Sequence, residues 1–582
     1  MNLGLHWNES RFAEESAVLR SLDVPDGTIA IGTDFSDAGR TVARIVEARR
    51  RGETVALYAY LADPLEAIVN QVGRVLAQQP NNGSRYEQVL ALRENRLNVN
   101  QKPLHENAVY DQATLRAAVL CVKLADVMLY FTQAERDRWS ALIGRALRGT
   151  ALLPVPQAYA QAPDTGGVSF YCPDGDTGAI DVLALALRER AVEARLTPHG
   201  SAPQTQTVVV PAWWRPARAL ALASAGYRVV APMAGGAQQR AACAEYAPTD
   251  LFSVGAALDA AQTDSTDLLF DATADDVTRA VRAAIVPSKT GPRVSIVVRT
   301  FDRAVLLERA LRSIAAQTYG DVEIVVVNNG GADVAGIVGR ASGSRPYRYV
   351  RLDERAHISV ASNAGARAAS GAYIGYLDDD DLLYPDHCAR TIDALERTGA
   401  DLAYTNCVAE YARIDGETKT LLGFQMFRDA EFVARDLYVD NFAPIHSIVH
   451  RRDLFDRFGL FDEELPVTDD WEMWLRASRG ARFVHVNHVT CEYSWRVDPA
   501  RGNMTLTHQR QFRDSYERTT GRYAADVAGF ALIEQRQAQV KQAQQARAQQ
   551  LADLGPRIAE LTLAAMSRDA VAANPPPDDP FA

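Results

Sequence analysis

Uninterrupted apolar runs of about 18 residues are missing from this 582-residue chain, so a membrane-spanning helix is not expected. The opening MNLGLHWNESRFAEE has no apolar h-region, and a secretory leader is not expected either. Surplus positive charge is also missing. The formal net charge is −11, whereas nucleic acids and anionic membranes are held through basic faces. The expectation is no nucleic-acid partner and at most peripheral membrane contact. Cysteine is sparse: the six, at 121, 172, 243, 388, 407 and 491, form no C-x-x-C pair and no zinc-ligand spacing. They read as reduced, mostly buried thiols of a cytoplasmic protein, soluble or peripheral at the inner membrane face.

What is present is ordinary globular composition, 47% hydrophobic and 23% charged. The length suggests about three or four domains. In the first part, short apolar runs alternate with helical patterns: TIAIGTDFSDAG, RTVARIVEARRRG, TVALYAYL and ADVMLYFTQAERDRW, the last with a capping box at Thr132-x-x-Glu135. A second set runs through GVSFYC, IDVLALALRERAVEA, TVVVPAWW, ARALALASAG, YRVVAP and DLLFDA. Strands alternating with helices imply βαβ units and parallel sheets. The chain therefore reads as multi-domain α/β, with Rossmann-like units over 1–165 and 166–288 and a third α/β region over 292–504. Within that region EYARIDGETKTLLG carries an Asp-Gly hairpin signal, so antiparallel strands join its parallel sheet. Residues 505–565 are rich in alanine and glutamine and read as a helical segment, a means of docking or of homo-oligomer formation. The tail 566–582 reads as disordered.

In open α/β sheets, ligands bind at the carboxyl ends of strands. The third region places polar clusters there: Arg299-Thr300-Phe301-Asp302, Asn328-Asn329-Gly330-Gly331, and Asp378 to Asp381. A fourth cluster, VTDDWEMWLR, sets Asp469 and Asp470 at a helix start. The acidic run is the sharpest signal. Like charges ~4 Å apart repel by about 1 kcal/mol in water and several times that near a protein surface. Something must offset that cost, unless the run is a solvated turn with Asp381 capping the next helix.

The pieces VSIVVRTFDR…LERALRSIAAQTY, EIVVVNNG, NAGARAASGAYIGYLDDDDLLYPDH, FGLFDEEL and DDWEMWLR follow one another in a familiar order. Over about residues 293–496 they resemble the family 2 glycosyltransferases of the A-type fold. The resemblance implies an enzyme that moves a sugar from a nucleotide-diphosphate donor, with inversion at the anomeric carbon. The family's D-x-D element falls on Asp378 to Asp380. Asp380 is then the metal ligand, with Asp378 and Asp379 by the ribose or sharing the ion. Mn²⁺ or Mg²⁺ suits such hard oxygen donors, commonly one or two carboxylates plus substrate phosphates. The cation would offset the carboxylate repulsion. Asp470 matches the catalytic base, read as a surface-like carboxylate near pKa ~4 and ionised at neutral pH. Asp469 reads equally as a helix cap or as an acceptor contact.

By the same resemblance Thr300, Phe301 and Asp302 lie beneath the donor base, and Asn363 is the family's helix asparagine. Two departures stand out: Asn328 and Asn329 sit where an aspartate usually reads the base, and Ser362 replaces a frequent arginine. His446 in NFAPIHSIVHRR falls where relatives touch the acceptor, while His485 and His488 look like alternating strand residues. The Gln-x-x-Arg-Trp signature of processive relatives is missing, which favours single addition. The acceptor would be a glycan, lipid-linked or protein-linked, in bacterial surface polysaccharide or glycoconjugate synthesis. Residues 1–288 loosely resemble the B-type glycosyltransferase layout, with Gly235-Gly236 as a turn or a phosphate approach. That half is either a second transferase site or a non-catalytic module of a glycan-assembly scaffold.

Overall fold

In the computed structural model, strand-forming runs of valine and isoleucine gather into three sheets. Residues 2–60, 112–171, 194–232, 243–246 and 273–285 are described with short gaps, and 290–527 almost continuously. Beyond 527 only a few single positions are described. The first sheet is parallel throughout, in the order β1 (Asn2–His6), β2 (Thr28–Thr33), β3 (Thr54–Ala59), β4 (Val127–Tyr130) and β5 (Thr150–Leu152). Helices α1 (Ala13–Ser21), α2 (Ala38–Arg50) and α3 (Gln112–Leu124) lie between its strands in the chain. Past β4, Glu135 accepts from the Thr132 amide at 2.9 Å while Thr132 Oγ1 accepts from the Glu135 amide at 3.4 Å, a reciprocal cap.

The second sheet is also parallel. It uses β6 (Val168–Phe170), β7 (Ala194–Leu196), β8 (Thr207–Val209), β9 (Arg228–Pro232) and β10 (Cys243–Tyr246), in the order β10-β9-β8-β6-β7. Helices α4 (Pro216–Ser224) and α5 (Ala274–Ala284) accompany it. One apolar cluster joins the two sheets, running from Phe12 and Tyr58 to Val208 and Val229. Most of IDVLALALRERAVEA, and Gly235-Gly236, lie outside the described residues.

The third sheet is mixed. Its strands are β11 (Val294–Thr300), β12 (Val322–Asn328), β13 (Tyr347–Arg351), β14 (Tyr373–Asp378), β15 (Leu382–Leu383), β16 (Leu402–Asp415), β17 (Thr418–Arg428), β18 (Ile448–Arg451) and β19 (Phe483–Arg496). Their order is β13-β12-β11-β14-β18-β16-β19-β15, with β17 paired to β16 as the hairpin the Asp-Gly signal suggests. β13, β12, β11 and β14 are parallel, and β18 joins β14 antiparallel. Alternation sorts β11 onto two faces. Val294, Ile296 and Val298 meet Leu307, Leu311 and Ile314 of α6 (Ala304–Ala315), and Val338 of α7 (Ala335–Ala341). Val297 turns the other way, toward Ala361 of α8 (Ile358–Ala368) and Trp474.

Fully burying each such side chain contributes about 1.5–3 kcal/mol, which makes this double-sided packing the main support for the strand ends. At Gly365 of α8 an added Cβ would meet Val297 Cγ1 at 2.3 Å, so the helix lies against the sheet only because that atom is absent. α9 (His387–Thr398) closes on Gly399 at φ 66°, the left-handed cap that glycine adopts without strain. After α10 (Leu454–Phe458) comes α11 (Asp469–Ala477), and α12 (Gln509–Arg522) docks against it. There Tyr516 stacks on Trp471 at 5.2 Å. No helix among the described residues is long and apolar enough to cross a membrane.

Two arginines at the end of α2 join the first sheet to the third. Arg49 reaches Asp126 of its own module at 2.9 Å and Asp386 at 2.8 Å, and Arg390 of α9 completes the cluster on both carboxylates. Arg50 grips Glu492 through two bonds of 2.8 and 2.7 Å and also meets Glu410 at 2.9 Å.

Candidate active site

Parallel strands β11 and β14 end side by side, so their last residues meet. Arg299, the next-to-last residue of β11, pairs register with Asp378, the last of β14. Its guanidinium donates to that carboxylate through Nε at 3.1 Å and through a second, closer nitrogen, and its third nitrogen reaches Ser362 Oγ at 3.0 Å. One residue on, Thr300 Oγ1 donates to Asp379 at 2.8 Å. Arg303, just before α6, spans Asp379 at 3.0 Å and Asp380 at 3.2 Å, and Arg496 at the end of β19 reaches Asp380 at 2.6 Å. Asp381 accepts from the Ser494 amide at 2.8 Å on one oxygen and faces His446 Nδ1 at 2.9 Å with the other. Thus the chain's own arginines and a histidine face the acidic run. Sequence reasoning assigned none of these arginines a role, although four adjacent carboxylates call for nearby counter-charge.

The ionisation of the run is uneven. Burial would raise Asp378, but Arg299 prevails and holds it below the ordinary carboxylate value. Asp379 is pushed up to about 6 by burial and by the charge of Asp380, against Arg303. Asp381 rises to about 7 through burial, with His446 opposing.

α11 brings in the second acidic pair. Asp469 is buried, and its Oδ2 has no hydrogen-bond partner among the described residues. Asp470 accepts from the Trp471 amide at 2.7 Å and from Asn441 Nδ2 at 2.9 Å. Burial and the neighbouring Asp469 push Asp470 up to about 7, not the surface-like value near 4 expected from sequence. Asn441 is a further contact that sequence reasoning missed; only its place just upstream of the expected acceptor residues hinted at it. Arg299 lies within electrostatic reach of Asp469 and Asp470 as well as of Asp378. Arg299 thus links the two acidic clusters electrostatically. Among the described residues, two of the three non-glycine residues with positive φ adjoin these clusters, Asp302 at 54° and Thr468 at 63°, each conformation costing roughly 1–3 kcal/mol.

Several expected donor contacts turn inward. Asn328 is buried, donates to Ala332 O at 2.7 Å and Tyr349 Oη at 3.0 Å, and accepts from the Gly331 amide at 2.8 Å. Asn329 both donates to and accepts from the backbone of Ala356, at 3.0 and 2.9 Å. Asn328 thus spends its amide on the following turn and Tyr349, while the partly buried Asn329 ties its strand end to Ala356. Asn363 likewise clasps the 461–463 loop, donating to Phe461 O and Glu463 and accepting from the Phe461 amide. His446, expected beside an acceptor, is only 1% exposed and stands behind the acidic run. His485 bonds Asn406 at 2.6 Å and stacks on Tyr404. Phe301 remains partly open with Arg355 stacked 4.3 Å from its ring, and Asp302 accepts from the Ala332 amide at 2.8 Å.

The chemistry of this donor set suits a hard divalent cation. Asp378, Asp379 and Asp380 offer only carboxylate oxygens, and such an ion needs one or two of these when phosphates fill the rest of its shell.

A family model described as glycosyl transferase family 2 matches residues 295–459. An uncharacterized glycosyltransferase of Rickettsia typhi is 29% identical over 224 residues, 38% of this chain and 68% of that protein. One from Bacillus subtilis is 28% identical over 200 residues, 34% of this chain and 72% of its own length. The succinoglycan biosynthesis protein ExoO of Rhizobium meliloti is 30% identical over 194 residues, 31% of this chain and 54% of that protein. Among solved structures, a mannosyltransferase of Pyrobaculum calidifontis in complex with GDP-Man and Mn²⁺ is 19% identical, covering 50% of this chain and 86% of that one at a TM-score of 0.33. The third α/β region thus carries a family 2 glycosyltransferase segment, and these relatives support a transferase enzyme.

Proposed function

We propose that the chain is an inverting, metal-dependent glycosyltransferase that adds single sugars from a nucleotide-diphosphate donor. The acceptor is a hydroxyl of a glycan, lipid-linked or protein-linked, in the assembly of a bacterial surface polysaccharide or glycoconjugate. The observation that carries this reading is Arg299, bonded to the strand-end carboxylate Asp378 and within electrostatic reach of Asp470. Asp470 takes the proton of the acceptor hydroxyl as that oxygen bonds to the anomeric carbon and the bond to the diphosphate breaks. A carboxylate raised to about 7 is better matched to that task than one near 4. Asp380, with Asp378 or Asp379 beside it, would hold Mn²⁺ or Mg²⁺, which supplies charge to stabilise the departing diphosphate. Arg303 and Arg496 are guanidiniums of the kind that bind phosphates. Thr300, Phe301 and Asp302 lie on the base side, where the Phe301 ring offers a stacking face.

Residues 292–504 form the transferase domain in this reading. Residues 1–165 and 166–288 are two Rossmann-like units in a B-type layout that hold the acceptor, and the protein works in the cytoplasm. Hydrolysis of a panel of nucleotide sugars with Mn²⁺ tests the central role. Asp470→Asn should slow turnover by about 10²–10⁴-fold. Equal rates in variant and wild type would remove Asp470 from catalysis. A melting-temperature panel of nucleoside diphosphates, with and without metal, identifies the donor, because a ligand of the native state raises stability with its concentration.

A further inference from the structure

Directly behind the acidic run, three soft-metal ligands from distant parts of the chain converge. Cys407 on β16 and Cys491 on β19 are register partners on adjacent strands, and both thiols are fully buried. His446, from the turn before β18, points Nε2 at Cys407 Sγ from 3.4 Å. The three ligating atoms lie within 4.8 Å of one another. On the far side of the ring, Nδ1 faces Asp381 Oδ2 at 2.9 Å, and Tyr493 stacks on the ring at 5.8 Å.

We propose that Cys407, Cys491 and His446 bind a structural zinc ion, with Asp381 orienting His446 from behind. Tetrahedral zinc with metal–sulfur bonds of ~2.3 Å and metal–nitrogen bonds of ~2.0–2.1 Å separates sulfur from nitrogen by roughly 3.5 Å. The 3.4 Å between Cys407 Sγ and His446 Nε2 matches that separation, and the three ligand atoms lie within 4.8 Å of one another. A carboxylate on the second nitrogen of a ligating histidine is the usual outer-shell partner, fixing the tautomer and the ring plane. Thr405 Oγ1 lies 3.8 Å from Cys491 Sγ. Because the site is sealed, the ion would enter as the domain folds. Its consequence reaches the candidate active site: Asp381 adjoins Asp380, so the zinc would brace the acidic loop from inside.

The site is separate from the donor cation, whose ligands are oxygens, and the experiment keeps the two apart. Full-length protein, purified without metal-affinity resin and dialysed against chelator, should retain about one zinc per chain by elemental analysis. Cys407→Ser and Cys491→Ser should each lower this at least about fivefold, whereas Asp380→Asn should leave it unchanged. Cobalt supplied during refolding should give a thiolate-to-cobalt charge-transfer band that the cysteine variants lack. Wild-type protein that is folded by circular dichroism after refolding with zinc, yet holds less than about a tenth of an equivalent, would overturn the proposal. So would a Cys407–Cys491 disulfide found by thiol counting in denaturant without reductant. The wild-type measurement stands even if the cysteine variants fail to fold.

Discussion

Two dense ion clusters in this molecule are made from the same residue types and behave differently. Between the first and third sheets, Arg49 and Arg390 enclose Asp126 and Asp386, while Arg50 holds Glu492 and Glu410. Burial would raise Asp386, but the two arginines hold it far below the ordinary carboxylate value. At the strand ends, Arg299, Arg303 and Arg496 face Asp378, Asp379 and Asp380. There Asp379 and Asp470 are pushed upward, and Asp469 keeps an unpartnered buried oxygen. The difference lies in the ratio of charges: Arg309 on Glu410 brings the joint to four arginines for four carboxylates, whereas the strand-end site has three arginines for the six aspartates 378–381, 469 and 470. Where arginines match carboxylates, the cluster is a joint that is costly to break. Where carboxylates exceed arginines, the surplus can take a cation or a proton, which is what a transfer site uses.

The largest expected effect tests the joint. Asp386→Ala leaves Arg49 and Arg390 buried without their carboxylate, and removing one partner of a buried pair costs about 3–5 kcal/mol. Urea unfolding should show that loss, with the first-sheet module separating early. Asp378→Ala, at 29% side-chain exposure, should cost less, because Arg299 keeps Asp469 and Asp470 within electrostatic reach. Similar losses at both positions would erase the distinction between joint and site.

The strand ends were legible in sequence because buried parallel strands read as unbroken Val/Ile runs and polar clusters follow them at once. VSIVVRT, VEIVVVN and YIGYLD were placed this way, and Asp470 was marked by its helix start. The arginines were harder. EARRRG looks like the basic last turn of a helix, favourable for the helix dipole, and nothing local says that Arg49 and Arg50 dock onto residues more than 300 positions away. Cys407, His446 and Cys491 carried no ligand spacing because the contact is made across strands. Asn328 and Asn329 stand at a strand end, the position a ligand uses, and the tight loops there also draw on their side-chain amides to satisfy backbone groups.

Asn328 sharpens the contrast between bracing and binding, with an intermediate effect. Asn328→Asp would install the aspartate expected from the family resemblance, yet its carboxylate would face Ala332 O, where Nδ2 now donates at 2.7 Å. Loss of that buried donor should destabilise the fold by about 1–3 kcal/mol. Nucleoside-diphosphate affinity, measured by calorimetry on the folded fraction, should stay within about twofold. A stable variant with altered nucleotide preference would return Asn328 to the donor site.

The smallest effect probes the surplus itself through pH. The folded pKa of Asp470 is about 7 against an ordinary 3.8, so the native state binds this proton more tightly than the unfolded chain does. Stability from this group therefore falls as pH rises from about 4 to about 7 and stays low above that. Asp470→Asn removes the charge, and its single oxygen can keep only one of the bonds from Trp471 N and Asn441 Nδ2, so the comparison rests on the change of the difference with pH. Between pH 4 and pH 8 the variant should gain on wild type by an amount equivalent to roughly 1 kcal/mol after screening at this part-exposed position. Comparing the variant with wild type at each pH cancels the other titrating groups, leaving only the repulsion between Asp469 and Asp470 and the cost of burying their charge. A difference that is the same at both pH values would mean that the pair stores no charge, and the contrast between the two clusters would fail at the residue proposed to take the proton.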